Sequence, residues 1–208
     1  MARVLMRSPL ARDRRQPPGF IRLCQPVLAA KVPSGDGWLH ELKHDGFRIV
    51  AHKDGDDVRL WSRNGRDWSL EFVTITAAVM ALPFARIVLD GEAVAHCSQG
   101  LPDFHALLGR SGAATACLYA FDLLHVGHDD LRRYELVERR ALLRKYLKDA
   151  EPALLYSESM EGDEGEAMFR HACWLGLEGV VSKRATSRYK SGRGDAWRKV
   201  KNPAYERR

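Results

Sequence analysis

The stretch Glu41-Leu42-Lys43-His44-Asp45-Gly46-Phe47-Arg48 gathers more potential chemistry than any other part of this 208-residue sequence. A lysine amine attacks phosphorus only when it is neutral, so its ordinary pKa of roughly 10.4 must fall. Desolvation or nearby positive charge lowers it, and Arg48, Lys183, Lys199, Lys201 or a bound metal could supply the charge. If Lys43 continues an extended segment, Glu41 lies on the same face of it. Asp45-Gly46 offers a tight turn directly after the lysine, and Arg48 can return toward it from the following strand. A single lysine near a strand start is, taken alone, an ordinary surface group. What raises Lys43 above that is the company of these neighbours.

Two carboxylates form a second set. In Leu89-Asp90-Gly91-Glu92, a glycine inside a strand marks a place where the backbone is closely approached. Glu92 then reads either as an exposed residue beside a bulge or as a group for a ribose hydroxyl or a magnesium ion. Glu178, in Glu178-Gly179-Val180-Val181-Ser182-Lys183, repeats the arrangement at the start of a short apolar strand. Two such carboxylates, with phosphates and water, suit magnesium. Phe121 has the pattern of a core residue and also the flat apolar face that a purine needs for stacking. In Trp197-Arg198-Lys199-Val200-Lys201 the alternation puts Lys199 and Lys201 on one face, as a solvated edge or as a clamp on phosphate.

The elements that must position these groups are short. Phe47 to His52 and Val58 to Ser62 alternate around Asp54-Gly55 and predict a hairpin. Trp68 to Ala81 has helical spacing and stops near Pro83; Arg86 to His96 is a strand interrupted by Gly91. Asp103 to Leu108 predicts one or two helical turns, and Leu118 to Leu124 a strand. Leu136 to Leu147 predicts an amphipathic helix, with Val137, Leu142, Leu143 and Tyr146 for its apolar face. A further helix covers Glu164 to Leu175 and ends at Gly176. Gly179 to Lys183 and Trp197 to Lys201 close the chain as strands, joined by a basic loop. Short strands and helices without regular βαβ alternation give an α+β class.

Composition narrows the setting. The chain is 45% hydrophobic and 29% charged, which excludes global disorder, and it has no apolar run of bilayer-spanning length. No membrane association is expected. Four scattered cysteines without a CxxC pair argue against a zinc site or a disulfide framework and fit a reducing cytoplasm. A net charge of +6 favours a polyanionic partner. Residues 1–25 read as a basic Pro/Arg-rich arm, 26–203 as one domain and 204–208 as a tail.

In order along the chain, KHDGFR, SRNGRDW, LDGEAV, LYAFDLL, EGVVSKR and WRKVK resemble the motif series of the covalent nucleotidyltransferases: ATP-dependent DNA ligases, RNA ligases and mRNA capping enzymes. The KHDG segment matches that family's KxDG nucleophile motif. GDGW before it and YKSGRGDAWRKVK at the end look most like the bacterial ligase D group of break repair and its small stand-alone relatives. The resemblance implies an ATP-grasp-like core of antiparallel sheets flanked by helices. It implies that Lys43 takes AMP from ATP as a phosphoramidate and passes it to a DNA 5′-phosphate, after which a 3′-hydroxyl seals the nick. Glu41 and Leu42 would border the adenine and Phe121 would stack on it. Arg48 and Glu92 would hold the ribose region, Glu92 and Glu178 would bind Mg2+ or Mn2+, and Lys183, Lys199 and Lys201 would serve the α-phosphate. Arg63 would contact the nucleotide or the nicked strand. The family's OB-fold domain is not expected in the residues after Lys201, so nicked duplex DNA and a repair protein or OB-fold partner in trans are the expected partners. A module that binds ATP or a DNA end without turnover, and an RNA ligase or capping-type enzyme, are the alternatives.

Overall fold

The computed structural model describes residues 20–207. Most of the expected arm, residues 1–19, lies outside the described residues. The domain takes up the chain earlier than residue 26: Ile21, Leu23 and Cys24 are buried, and strand β1 (Cys24–Leu28) begins there.

Two sheets face each other. The first has strand order β1, β11 (Gly192–Lys201), β10 (Gly179–Arg184), β2 (Trp38–Leu42), β9 (Ser159–Glu161). The second runs β4 (Asp57–Ser62), β3 (Phe47–Asp54), β5 (Arg86–Val94), β6 (Cys117–Val126), β7 (Asp129–Asp130), with β8 (Leu154–Tyr156) also paired to β6. Most ladders are antiparallel, as expected, but β1 with β11 and β6 with β8 run parallel. The sheets are therefore mixed.

The pleat explains the layering, because successive side chains leave a strand on opposite faces. On the second sheet Ile49, Ala51, Leu89 and Leu123 face helices α1 (Val73–Ala81) and α4 (Leu136–Leu147) and form the main core. Val50, Val88 and Phe121 face the first sheet and meet Leu39 and Trp197. Outside the first sheet, Val180, Val200 and Leu42 pack under α5 (Gly165–Trp174). Two one-turn helices, α2 (Phe104–Leu108) and α3 (Arg110–Ala114), sit beside the main core. Among the described residues no helix is long and apolar enough to cross a membrane.

Several elements differ from their sequence pattern. The helix expected from Trp68 begins only at Val73, because the Trp68 amide donates to Leu60 O of β4 and Asp67 and Ser69 complete a side-chain-bonded turn. In α4 the buried side is Leu136, Arg139, Arg140, Leu143 and Leu147, while Val137 is 43% exposed. Two arginines occupy positions that a periodicity argument gives to hydrophobes. β11 starts five residues before Trp197, since residues 192–194 pair with β1. At Gly91 the close approach comes from β6: a Cβ there would lie 2.7 Å from Tyr119 O.

His52 and His125 flank Val88 across three strands, facing the first sheet. Neither ring nitrogen of His52 has a hydrogen-bond partner among the described residues. Burial pushes the His52 pKa down from 6.5 to about 4. Its folded state resists protonation, so stability is full above about pH 6.5 and falls as pH drops toward 4, by on the order of 3 kcal/mol. Urea denaturation across that range should show this loss. In His52→Phe the decline should be shallower, and an unchanged slope would clear His52 of the effect.

Candidate active site

A cleft opens between the two sheets, and its walls follow from strand register. On the first sheet Glu41 pairs with Val181 and Val181 with Lys199, so Glu41 and Lys199 point the same way across three strands. Leu39, Lys183 and Trp197 form the parallel row. One step beyond β2, the Lys43 amide donates to Gly179 O, and Gly179 pairs with Lys201. The period-two alternation therefore brings Lys43, Lys183, Lys199 and Lys201 from three strands onto one side. The second sheet contributes Arg48, Glu92 and Phe121 opposite them.

The nucleophile candidate is engaged at once: Lys43 Nζ donates to Glu178 Oε2 at 2.5 Å, and Lys201 Nζ lies 3.3 Å from Glu178 Oε1. Glu178 is buried, whereas half of the Lys201 side chain is exposed, so Lys201 serves Glu178 from the rim. Burial and the charges of Lys43 and Lys201 push the Lys199 pKa down. Across the cleft, burial drives the Glu92 carboxyl up to about 7; Arg48 and Lys43 oppose this, and Glu178 and Asp90 add to it.

Behind these groups lies a layer of buried ion pairs. Glu41 accepts from Arg140 Nη1 at 2.7 Å and from Lys183 Nζ at 2.9 Å. Arg140 continues to the carbonyls of Phe121 and Ser157. Arg139 forms a bidentate pair with Asp122, both fully buried, and Arg48 forms another with Asp90. Asp90 also accepts from Tyr189 Oη at 2.7 Å. Phe121 is enclosed by cations: Lys183 Nζ is 4.1 Å and the Arg48 guanidinium carbon 4.5 Å from its ring centre. Lys183 sits equally close, at 4.2 Å, to the Trp197 ring. Burial lowers the Lys183 pKa, with Glu41 opposing.

All the sequence-derived residues except Glu178 and Lys201 line this cleft: Glu41, Leu42, Lys43, Arg48, Arg63, Glu92, Phe121, Lys183 and Lys199. Glu178 and Lys201 join through Lys43. Arg63 follows β4 and is an exposed member of the lining. Sequence reasoning missed Arg140, Asp90, Tyr189, Arg193 and Trp197. The doubled arginine in α4 was the signal for Arg140, and Asp90 stands two residues before Glu92. Tyr189 and Arg193 lie in the YKSGRGDAWRKVK segment, but the partners of Tyr189, Asp90 and Cys24, are distant in the chain. Among the described residues no group of three or more His, Cys, Asp or Glu side chains is placed to hold a metal. Glu92 and Glu178 are the two carboxylates that would face a cation there, and Glu178 is one of the groups that push the Glu92 carboxyl up.

Residues 24–201 match the family described as ATP dependent DNA ligase domain. The chain is 40% identical over 184 residues to the multifunctional non-homologous end joining protein LigD of Pseudomonas aeruginosa, covering 85% of this chain and 22% of that protein. It is 36% identical over 201 residues to a probable DNA ligase of Sorangium cellulosum, covering 88% of this chain and 38% of that one. Among solved structures it is similar to a mycobacterial DNA ligase D complexed with ATP and MES, with a TM-score of 0.72 and 33% identity, covering 86% of this chain and 60% of that chain. The ligase domain of LigD from M. tuberculosis matches with a TM-score of 0.71, 34% identity and coverages of 86% and 59%. The chain thus spans about a fifth of the LigD relative's length and under two-fifths of the probable ligase's.

The Glu41 network generates a stability prediction. Glu41→Ala leaves Arg140 and Lys183 buried without their carboxylate and should cost about 3–5 kcal/mol in urea denaturation. A loss below about 1 kcal/mol would mean that the two cations find other partners or water.

Proposed function

The chain belongs to the family of ATP-dependent DNA ligase domains, and on that premise we propose that Lys43 takes AMP from ATP and delivers it to a DNA 5′-phosphate. The observation that carries this reading is the position of the Lys43 amine, in a cleft between two sheets with Lys183 and Lys199 on the same wall. Lys43 Nζ attacks the α-phosphorus of ATP; a P–N bond forms, the bond to the bridging oxygen breaks, and pyrophosphate leaves. The amine must first shed its proton. Lys183 and Lys199 then neutralise charge on the transferring phosphoryl group.

Glu178 and Glu92 would hold a divalent ion, Mg2+ or Mn2+, which supplies positive charge beside the phosphates. Holding an ion would also draw Glu178 away from Lys43. Glu41, tied to Arg140 and Lys183, acts by fixing the wall beside Leu42 rather than by offering a free carboxylate to the base. Arg48 is likewise fixed, by Asp90, before any ribose arrives. Phe121 provides the apolar surface for the adenine.

In the second step a DNA 5′-phosphate oxygen attacks the AMP phosphorus and Lys43 leaves. In the third, a 3′-hydroxyl displaces AMP and closes the nick. Arg63 and Arg193 are the cations at the cleft suited to the DNA backbone. The relatives are named as DNA ligase and end joining proteins, which supports DNA over RNA as acceptor, and a repair protein or OB-fold domain is the partner we expect. Four free cysteines suit a reducing cytoplasm.

Incubation with ATP and magnesium, followed by intact-mass and peptide-mass measurement, should find AMP on Lys43. Lys43→Ala and Lys43→Arg should carry none, since a guanidinium stays protonated. Covalent AMP in either variant would overturn the assignment. In Glu178→Ala the rate of AMP attachment should fall by about tenfold or more and lose its dependence on metal concentration, with ATP affinity little changed. An unchanged metal dependence would remove Glu178 from the ion.

A further inference from the structure

The turn that carries Lys43 is pinned at each residue, and one of the pins is supplied by the last described segment of the chain. The Lys43 amide bonds Gly179 O. His44 stacks on Tyr119, with ring centres 4.2 Å apart, and its Nε2 lies 3.3 Å from Ser157 Oγ. Gly46 is pressed against β5 so closely that a Cβ would stand 2.0 Å from Ala93 O, which excludes a side chain there. Asp45 is only 5% exposed, and its carboxylate takes no bond from its own turn. It accepts from Tyr205 Oη at 2.7 Å, from Arg207 Nη2 at 2.6 Å and from Arg207 Nε at 3.1 Å. The Arg207 guanidinium carbon in turn lies 4.0 Å from the centre of the Phe104 ring, so that group is held between Asp45 and an aromatic face.

The same segment holds the other half of the Lys43–Glu178 pair. Directly after β11, the Asn202 amide donates to Glu178 O at 2.9 Å and Asn202 Nδ2 donates to Leu177 O at 3.1 Å. Asn202 Oδ1 then accepts from the Ala204 amide, and the Tyr205 amide donates to Asn202 O, which folds the chain back toward Asp45. Lys43, Asp45, Glu178 and Tyr205 line one small cavity.

We propose that residues 202–207 are a clasp that positions the nucleophile: Asn202 fixes the backbone of Glu178, while Tyr205 and Arg207 fix Asp45 and with it the direction of Lys43. The clasp rests on the reading of Lys43 as the group that takes AMP. Tyr205 and Arg207 are not among the residues that line the cleft, and their side-chain hydrogen bonds go to Asp45, so they are positioning residues. Their loss should change how often the amine meets the phosphorus and leave ATP binding alone.

The test uses the full chain in four forms: Tyr205→Phe, Tyr205→Phe/Arg207→Ala, Tyr205→Phe/Arg207→Lys and, as control, the exposed neighbour Glu206→Ala. Two readouts are independent. Amide hydrogen exchange at residues 43–46, measured without ATP, should speed up about tenfold in the Phe/Ala form while β3 and β5 stay protected. Single-turnover AMP attachment should slow about tenfold or more in that form, with half-saturating ATP within about twofold of the parent. The lysine form should recover part of the rate, and Glu206→Ala should match the parent in both readouts. Unchanged exchange at 43–46 in a folded Phe/Ala form overturns the clasp, as does a loss confined to half-saturating ATP. If that form does not fold, Tyr205→Phe alone decides, since it removes a single hydroxyl. If the parent takes no AMP, the proposed function fails and the exchange measurement still decides the clasp.

Discussion

Charge is buried between the two sheets, in the layer where a protein of this size would ordinarily put hydrocarbon. Asp90, Asp122 and Glu41 lie there with Arg48, Arg139, Arg140 and Lys183, three carboxylates against four cations. Each ion costs several kcal/mol to desolvate, so every one needs a partner held at bonding distance. That requirement fixes the separation of the sheets and the rotamers of the cleft walls. It also leaves the layer one positive charge in excess, beside a cleft open to solvent. An anion with several oxygens is the ligand such a surplus accepts most readily.

Position on a strand does the rest. Lys183 and Lys199 share a wall with Lys43 because β10 and β11 are antiparallel and in a register that puts Val181 beside both Glu41 and Lys199. A slip of one residue in either ladder would turn those side chains outward toward α5. The apolar residues of the opposite face, Val180 and Val200, set the register by burying themselves under that helix. Chemistry on the inner face is thus secured by packing on the outer face.

This division explains what could be read in advance. Alternation is local, so Lys199 with Lys201 and Glu41 with Lys43 could each be placed on a common face from their spacing. The hairpin of β3 and β4 and the closing strands were legible for the same reason. The parallel strand β1 was not, because its partner lies at the far end of the sequence and its first two residues fell within the expected basic arm. Arg139 and Arg140 were hidden by the periodicity argument, which sought hydrophobes for the buried side of α4. Gly91 did mark a close approach, but the approaching backbone is β6. Tyr205 and Arg207 looked like tail, and only the folded chain brings them to Asp45. The roles of individual cleft residues toward a nucleotide came from the motif resemblance and not from spacing.

The pairing of Cys24 with Gly192 has a consequence for synthesis. While the chain emerges from the ribosome, β3, β4, β5 and β6 can assemble in the order in which they are made. The first sheet cannot follow suit. β1 must wait for β11, and β2 finds no strand partner before β9. Contacts of such long separation form late. Until β9 and β10 are made, an unfinished chain carries Lys43 beside an unpaired strand, and the amine gains Lys199 and Lys201 only when β11 has been translated.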